Sequence, residues 1–318
     1  MELFKKDKKI KKGLISMEWV VLAYIVITLV LAFILREDMP NMSRVVSLRI
    51  EGISIILALW LAYRCIPCRF MYLVRYCAQL WMLSLWYPDL FEFNCCMPYL
   101  DHLIAAWDQS LFGCQPALLF AEKVSSPVFS ELMCMGYVSY FFIMASVLLF
   151  YFFRRYEELE KMTFIFFTSF FLTYIVFIFV PVCGPQYYYE IVGVDNIAQG
   201  TFPDIGRYFL DNTQTQYNPG WKDGFFYKLL VFTHETGERP IAAFPSSHVA
   251  ITLLMTIFAF KGNRKFGGVI LFLFILICLA TVYIRAHYAV DVIAGCVFGL
   301  FVYMMSWLLW LLLFEMKK

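Results

Sequence analysis

The sequence predicts an all-α integral membrane protein, a bundle of about eight transmembrane helices with its reactive face outside the cytoplasm. Three observations carry that reading. Of 318 residues, 62% are hydrophobic, 19% aromatic and only 16% charged, against roughly 25% charged in a soluble domain. Mean hydropathy is +0.70, and apolar runs near the roughly 20 residues that cross a bilayer recur along the chain. Basic residues gather on alternate connections between those runs, as the positive-inside rule requires.

Spans are expected over 18–35, 45–63, 70–87, 132–153, 162–181, 244–260, 266–284 and 288–314. Arg49 and Glu51 make the second the weakest. Arg75 lies in the third, where a cation at the bilayer centre costs about 2.5 to 3.5 kcal/mol; near the start of its span, it is expected to snorkel to the interface. Lys5, Lys6, Lys8, Lys9, Lys11 and Lys12 put the N-terminus in the cytoplasm. Eight crossings then bring Arg64 and Arg69, Arg154, Arg155 and Lys161, Lys261, Arg264 and Lys265, and Lys317 and Lys318 to that same side. The first run has no small-residue cleavage site ahead of Arg36-Glu37-Asp38, so it is expected to stay as a signal anchor.

This gives a basic N-terminus (1–17), a section of N-terminal spans with an interfacial segment (18–131), a catalytic membrane section (132–314) and a short cytoplasmic tail (315–318). Two long segments face the outer side, 88–131 and 182–243. Within the first, residues 100–111 interleave apolar positions with Asp101, His102 and Asp108, predicting an amphipathic interfacial helix. The second is rich in Gly, Pro, Asn, Asp and Tyr; it is expected to fold over the active site and to select the headgroup within 193–240. Of the ten cysteines, Cys65 and Cys68 form one CxxC with no second pair or nearby His to complete a metal site. Cys95, Cys96, Cys114 and Cys183 face the oxidising side, with pairing left open. A net charge of +2 gives no sign of nucleic acid.

Two of the four histidines start apolar runs on the outer face: His248, after Pro245-Ser246-Ser247, and His287, after Arg285-Ala286. His287 and Asp291 are four residues apart, on one face of a helix. A carboxylate there accepts the proton of one ring nitrogen and frees the other to attack. His248, with an ordinary pKa near 6.5, is suited to protonate a leaving oxygen. Ser246 and Ser247 can cap the following helix, whose free N–H groups face an anion. Arg285, Arg239 and Lys222 are the candidate cations for phosphate oxygens.

Pro245-Ser246-Ser247-His248 and His287-Tyr288-Ala289-Val290-Asp291 resemble the second and third motifs of the type 2 phosphatidic acid phosphatase superfamily, over about 182–295. The superfamily includes lipid phosphate phosphatases and, in one branch, inositol phosphorylceramide synthases. The resemblance implies a phosphatase-type helix bundle, His287 as nucleophile, Asp291 as its orienter, His248 as acid, a phosphohistidine intermediate and no metal. It also implies a bacterial cytoplasmic membrane and a lipid phosphate substrate. Three departures stand out. Ser247 replaces the usual Gly, and the first motif is missing, with Gly184-Pro185-Gln186-Tyr187 at the corresponding position, similar to the synthase-like branch. Thr281 stands where the third-motif Arg is expected, one helical turn before Arg285. Three functions follow: hydrolysis of a lipid phosphate or pyrophosphate, transfer of the phospho-group to a lipid alcohol such as ceramide or diacylglycerol, or a non-enzymatic lipid transporter or scaffold.

Overall fold

The computed structural model describes residues 3, 4, 6, 13–212 and 218–316. Lys5, Lys8, Lys9, Lys11, Lys12, Lys317 and Lys318, on which part of the orientation argument rests, lie outside them. The chain is helical throughout its apolar runs: α1 (Ser16–Ile34), α2 (Met42–Cys65), α3 (Arg69–Asn94), α6 (Pro127–Arg154), α7 (Tyr156–Phe179), α11 (Ser247–Gly262), α12 (Arg264–Tyr283) and α13 (Ala289–Trp310). Between them lie α4 (Asp101–Phe112), α5 (Pro116–Lys123), α8 (Pro185–Val192), α9 (Val194–Ala198) and α10 (Phe225–Gly237).

Among the described residues, six helices are long and apolar enough to cross a membrane, where eight spans were expected: α1, α2, α6, α7, α12, and α13 with its last turn to Glu315. The other two runs are helical, but α3 carries Arg75, Asp89 and Glu92, and α11 has only 16 residues.

α11 is the centre of the bundle, packed on α6, α7, α12 and α13. Its buried residues run all round the helix, from Val249 to Ala259, as suits an element enclosed on every side. Contact with α13 depends on Gly295 and Gly299, one turn apart. A Cβ on Gly295 would lie 2.8 Å from the Ser246 carbonyl oxygen, and one on Gly299 would lie 2.9 Å from the Ala250 Cα. Small residues at this spacing let two helix backbones approach closely without a hydrophobic driving force.

α1, α2 and α3 join the bundle through α7. Arg75 does not snorkel. It is fully buried and forms a two-point ion pair with Glu18 of α1. Arg49 of α2 is buried likewise against Asp89 of α3, with Thr28 Oγ1 3.3 Å from its Nε. A partner on a neighbouring helix removes the need to reach water.

α4 is amphipathic as predicted, with the acids inside. Asp101, Ile104, Ala105 and Asp108 are buried, while Leu103, Trp107 and Leu111 are exposed at i, i+4, i+8. An apolar outer stripe suits a helix lying in the membrane interface. All ten cysteines carry free thiols, so Cys95, Cys96, Cys114 and Cys183 are not cross-linked.

Candidate active site

Three connections meet at the N-terminal end of α11: the turn from α7 into α8, the approach to α11, and the turn from α12 into α13. Backbone hydrogen bonds join them. Ala243 N–H donates to the Val182 carbonyl (3.0 Å), Gln186 N–H to Arg285 (2.8 Å) and Ser246 N–H to Asp291 (3.2 Å). His287 N–H donates to the carbonyl of Thr281 (3.0 Å).

His287 is buried, with Nδ1 2.7 Å from the Ala243 carbonyl oxygen and 3.4 Å from Asp291 Oδ2. A carbonyl only accepts, so Nδ1 carries the proton and Nε2 holds the lone pair. That Nε2 lies 3.3 Å from His248 Nδ1. His248 must then be the donor, with its N–H pointing at the nucleophilic nitrogen. Burial lowers the His287 pKa to about 4, against a smaller opposing effect of the Ala243 hydrogen bond. The ring is therefore neutral at pH 7.

Asp291 has a second task. Its Oδ2 accepts the Tyr288 N–H (2.8 Å) and so caps the first turn of α13. The Ala243 carbonyl is the nearer partner of His287, and sequence spacing gave no sign of it. Ser246 accepts from Val249 N–H (3.4 Å) as the cap of α11, and Ser247 lines a cavity beside His248. Tyr137 stacks on the His248 ring, centroids 4.6 Å apart, and Tyr140 flanks it at 4.5 Å.

Gly184 makes the first-motif substitute possible. Its φ is +88°, and a Cβ there would lie 2.7 Å from the Ala286 carbonyl oxygen, one residue before His287. Pro185 then starts α8, whose residues Gln186 and Tyr187 are buried.

The expected phosphate-binding cations are dispersed. Arg285, at φ +65°, turns its guanidinium toward α5, 3.4 Å from the Leu118 carbonyl and 3.4 Å from Glu122. Arg239 is half-buried beyond α10, and Lys222 is exposed in the preceding turn.

Two acids of α4 hold the site from outside. Asp101 accepts from the N–H groups of Cys183 and Gly184 (both 2.9 Å) and from the Tyr288 hydroxyl (3.0 Å). Asp108 accepts from Ala289 N–H (3.0 Å) and Val290 N–H (2.8 Å), the first turn of α13. Burial pushes the Asp108 carboxyl up to about 6, against those two N–H groups. The spacing of seven residues put both acids on one face; the sequence held no sign of what they would face.

Residues 102–305 match the sequence pattern of the PAP2 superfamily. The chain belongs to that superfamily. The match spans α4 to α13 and so takes in both histidines, Asp291 and Asp108. PAP2 proteins are generally phosphatases or phosphotransferases, and the helix content fits a membrane enzyme of that kind. None of the curated proteins and none of the solved structures compared with the chain matches it.

From His248 a cavity of about 320 Å³ opens between α3, α6, α7 and α10. Its walls are apolar, including Leu80, Trp81, Phe141 and Met144, and Trp81 and Phe141 are also exposed on the outer surface. The polar end holds His248, His234, Tyr87 and Glu238. Sequence reasoning missed His234, in the last turn of α10, and Glu238, the residue that follows that helix.

Proposed function

We propose that this protein takes a phosphoryl group from a lipid phosphate or lipid pyrophosphate onto His287 and passes it to water or to a lipid alcohol, at the outer face of a membrane. The observation that carries this reading is the fixed tautomer of His287, whose Nε2 lone pair faces a proton on His248. In the first step the P–O bond to the leaving group breaks as His287 Nε2 bonds to phosphorus. His248, which must enter this step as the imidazolium, gives its Nδ1 proton to the departing oxygen and becomes the neutral ring, while Asp291 and the Ala243 carbonyl stabilise the positive His287 ring. In the second step the acceptor oxygen bonds to phosphorus, the N–P bond breaks with its electron pair returning to His287 Nε2, and, with water as acceptor, the proton released passes back to His248.

Ser247 and the N–H groups at the start of α11 face the phosphate oxygens. Arg239 and Lys222 lie in the segment leading to the site, and Arg285 reaches it only by leaving Glu122. The apolar walls of the cavity that opens from His248 favour the lipid alcohol as acceptor, a second reading that the wall composition supports.

Purified protein in detergent, given a panel of lipid phosphates with and without diacylglycerol or ceramide, tests the proposal by mass spectrometry of all products beside His287→Ala. Free phosphate without acceptor marks hydrolysis, and a new phospholipid formed only with acceptor marks transfer. Neither product, or full turnover by His287→Ala, sinks the proposal; a transporter or scaffold would then be the better account.

A further inference from the structure

Glu238 follows α10 and faces the cavity of the proposed site. Its Oε1 accepts from the Tyr87 hydroxyl (3.0 Å) and the Gln186 side chain (3.4 Å), both neutral donors. Among the described lining residues it is the only carboxylate, and no Lys or Arg is among them. A carboxylate in an apolar enclosure without a cation carries a desolvation cost of several kcal/mol, and two neutral hydrogen bonds offset only part of it. Packing gives no reason for an acid here; Gln would make the same two contacts.

The same cavity holds Ser247 and His248, and Tyr137 connects its polar groups, stacked on His248 and edge-on to His234 at 5.5 Å between centroids. An anionic phosphate is disfavoured beside Glu238, so the donor phosphate belongs on the His287 side. A neutral group with a proton to share is favoured. The apolar walls toward α3 and α6 suit a hydrocarbon tail.

We propose that the Glu238 end of the cavity is an acceptor site for the hydroxyl group of a neutral lipid alcohol, which Glu238 binds and deprotonates. The inference rests on the phosphoryl-transfer reading above for its chemistry, though not for its binding. In the transfer step the His287 Nε2–P bond breaks and its electron pair returns to Nε2. The acceptor oxygen bonds to phosphorus, its proton passes to the Glu238 carboxylate, and the partly exposed Glu238 and His248 restore their protons through solvent before the next turnover. Burial raises the Glu238 carboxyl to about 7, so near neutral pH it can both hold and accept a proton.

The binding half is tested without any phosphate donor. Equilibrium binding of tritiated 1,2-dioctanoylglycerol to the full chain in detergent is compared with that of its analogue carrying hydrogen in place of the hydroxyl. The wild type is expected to prefer the hydroxyl form about tenfold, as suits a hydrogen bond to a charged group, and Glu238→Leu to bind both equally. An unchanged preference in Glu238→Leu, or no preference in the wild type, overturns the proposal. Glu238→Gln keeps the contacts to Tyr87 and Gln186 and covers a failure of the Leu variant to fold. With a lipid phosphate donor it should lower transfer to dioctanoylglycerol on the order of a hundredfold while phosphohistidine still forms; full transfer overturns the role of Glu238. Absence of phosphohistidine in the wild type counts against the reaction, and the donor-free comparison still decides the site.

Discussion

The carboxylate of Asp101 and the hydroxyl of Tyr288 meet at 3.0 Å across 187 residues of sequence, tying the interfacial helix α4 to the residue that follows His287. The same carboxylate holds the backbone at Cys183 and Gly184. One side chain thus fixes two of the three connections that form the site.

Asp101→Asn keeps the shape but presents an NH₂ group to donors. The unmatched contact is expected to lower stability by about 1 to 3 kcal/mol and turnover on the order of a hundredfold through displacement of the His287 connection. Thermal unfolding in detergent and steady-state kinetics measure the two effects. Normal turnover would show that α4 does not position the site.

Protonation of His287 should set the acid limb of activity near pH 4, well below the ordinary 6.5. The fold favours the neutral ring, so its contribution to stability is complete above pH 6.5 and fades as pH falls toward 4. A profile of kcat/KM, corrected for the donor's own ionisation, checks the first statement. A half-maximal point at 6.5 would mean that the ring is solvated in the working enzyme.

Gly184→Ala forces a Cβ against the Ala286 carbonyl oxygen at a backbone angle that L residues rarely adopt. A loss of about 1 to 3 kcal/mol in stability is expected, with turnover falling further than the loss of folded protein explains. Unchanged kinetics would release Gly184 from the site.

Arg75→Ala leaves Glu18 buried without its cation, a change expected to cost about 3 to 5 kcal/mol. Replacing both residues by Met should recover most of that loss. If the double variant is as unstable as the single one, the pair does more than neutralise itself.

The helices were legible because each apolar run is long. The interfacial helix, expected at 100–111, forms at Asp101–Phe112, since its periodicity is local information. The two histidine motifs were legible by their spacing, and the fold brings them to 3.3 Å. Partnerships between distant elements were not. Arg75 read as an interfacial cation because nothing near it in sequence reveals Glu18, and Arg285 read as a phosphate ligand because neither its left-handed backbone nor its contact with Glu122 of α5 shows in the local sequence. The Ala243 carbonyl and Glu238 share one cause of invisibility. Both lie in the irregular approach to α11, where side-chain periodicity carries no message.

The cavity wall has two origins. Leu80, Trp81, Leu83, Ser84 and Tyr87 come from α3, ahead of residues 102–305, whereas the histidines and the α6 side fall within that match. The two histidines and the α3 part of the cavity wall therefore belong to separate stretches of chain. Under the proposed function, exchange of α1–α3 would change that part of the wall, and Tyr87 beside Glu238 with it, while both histidines stayed in place, so selectivity could diversify by recombination ahead of the matched residues.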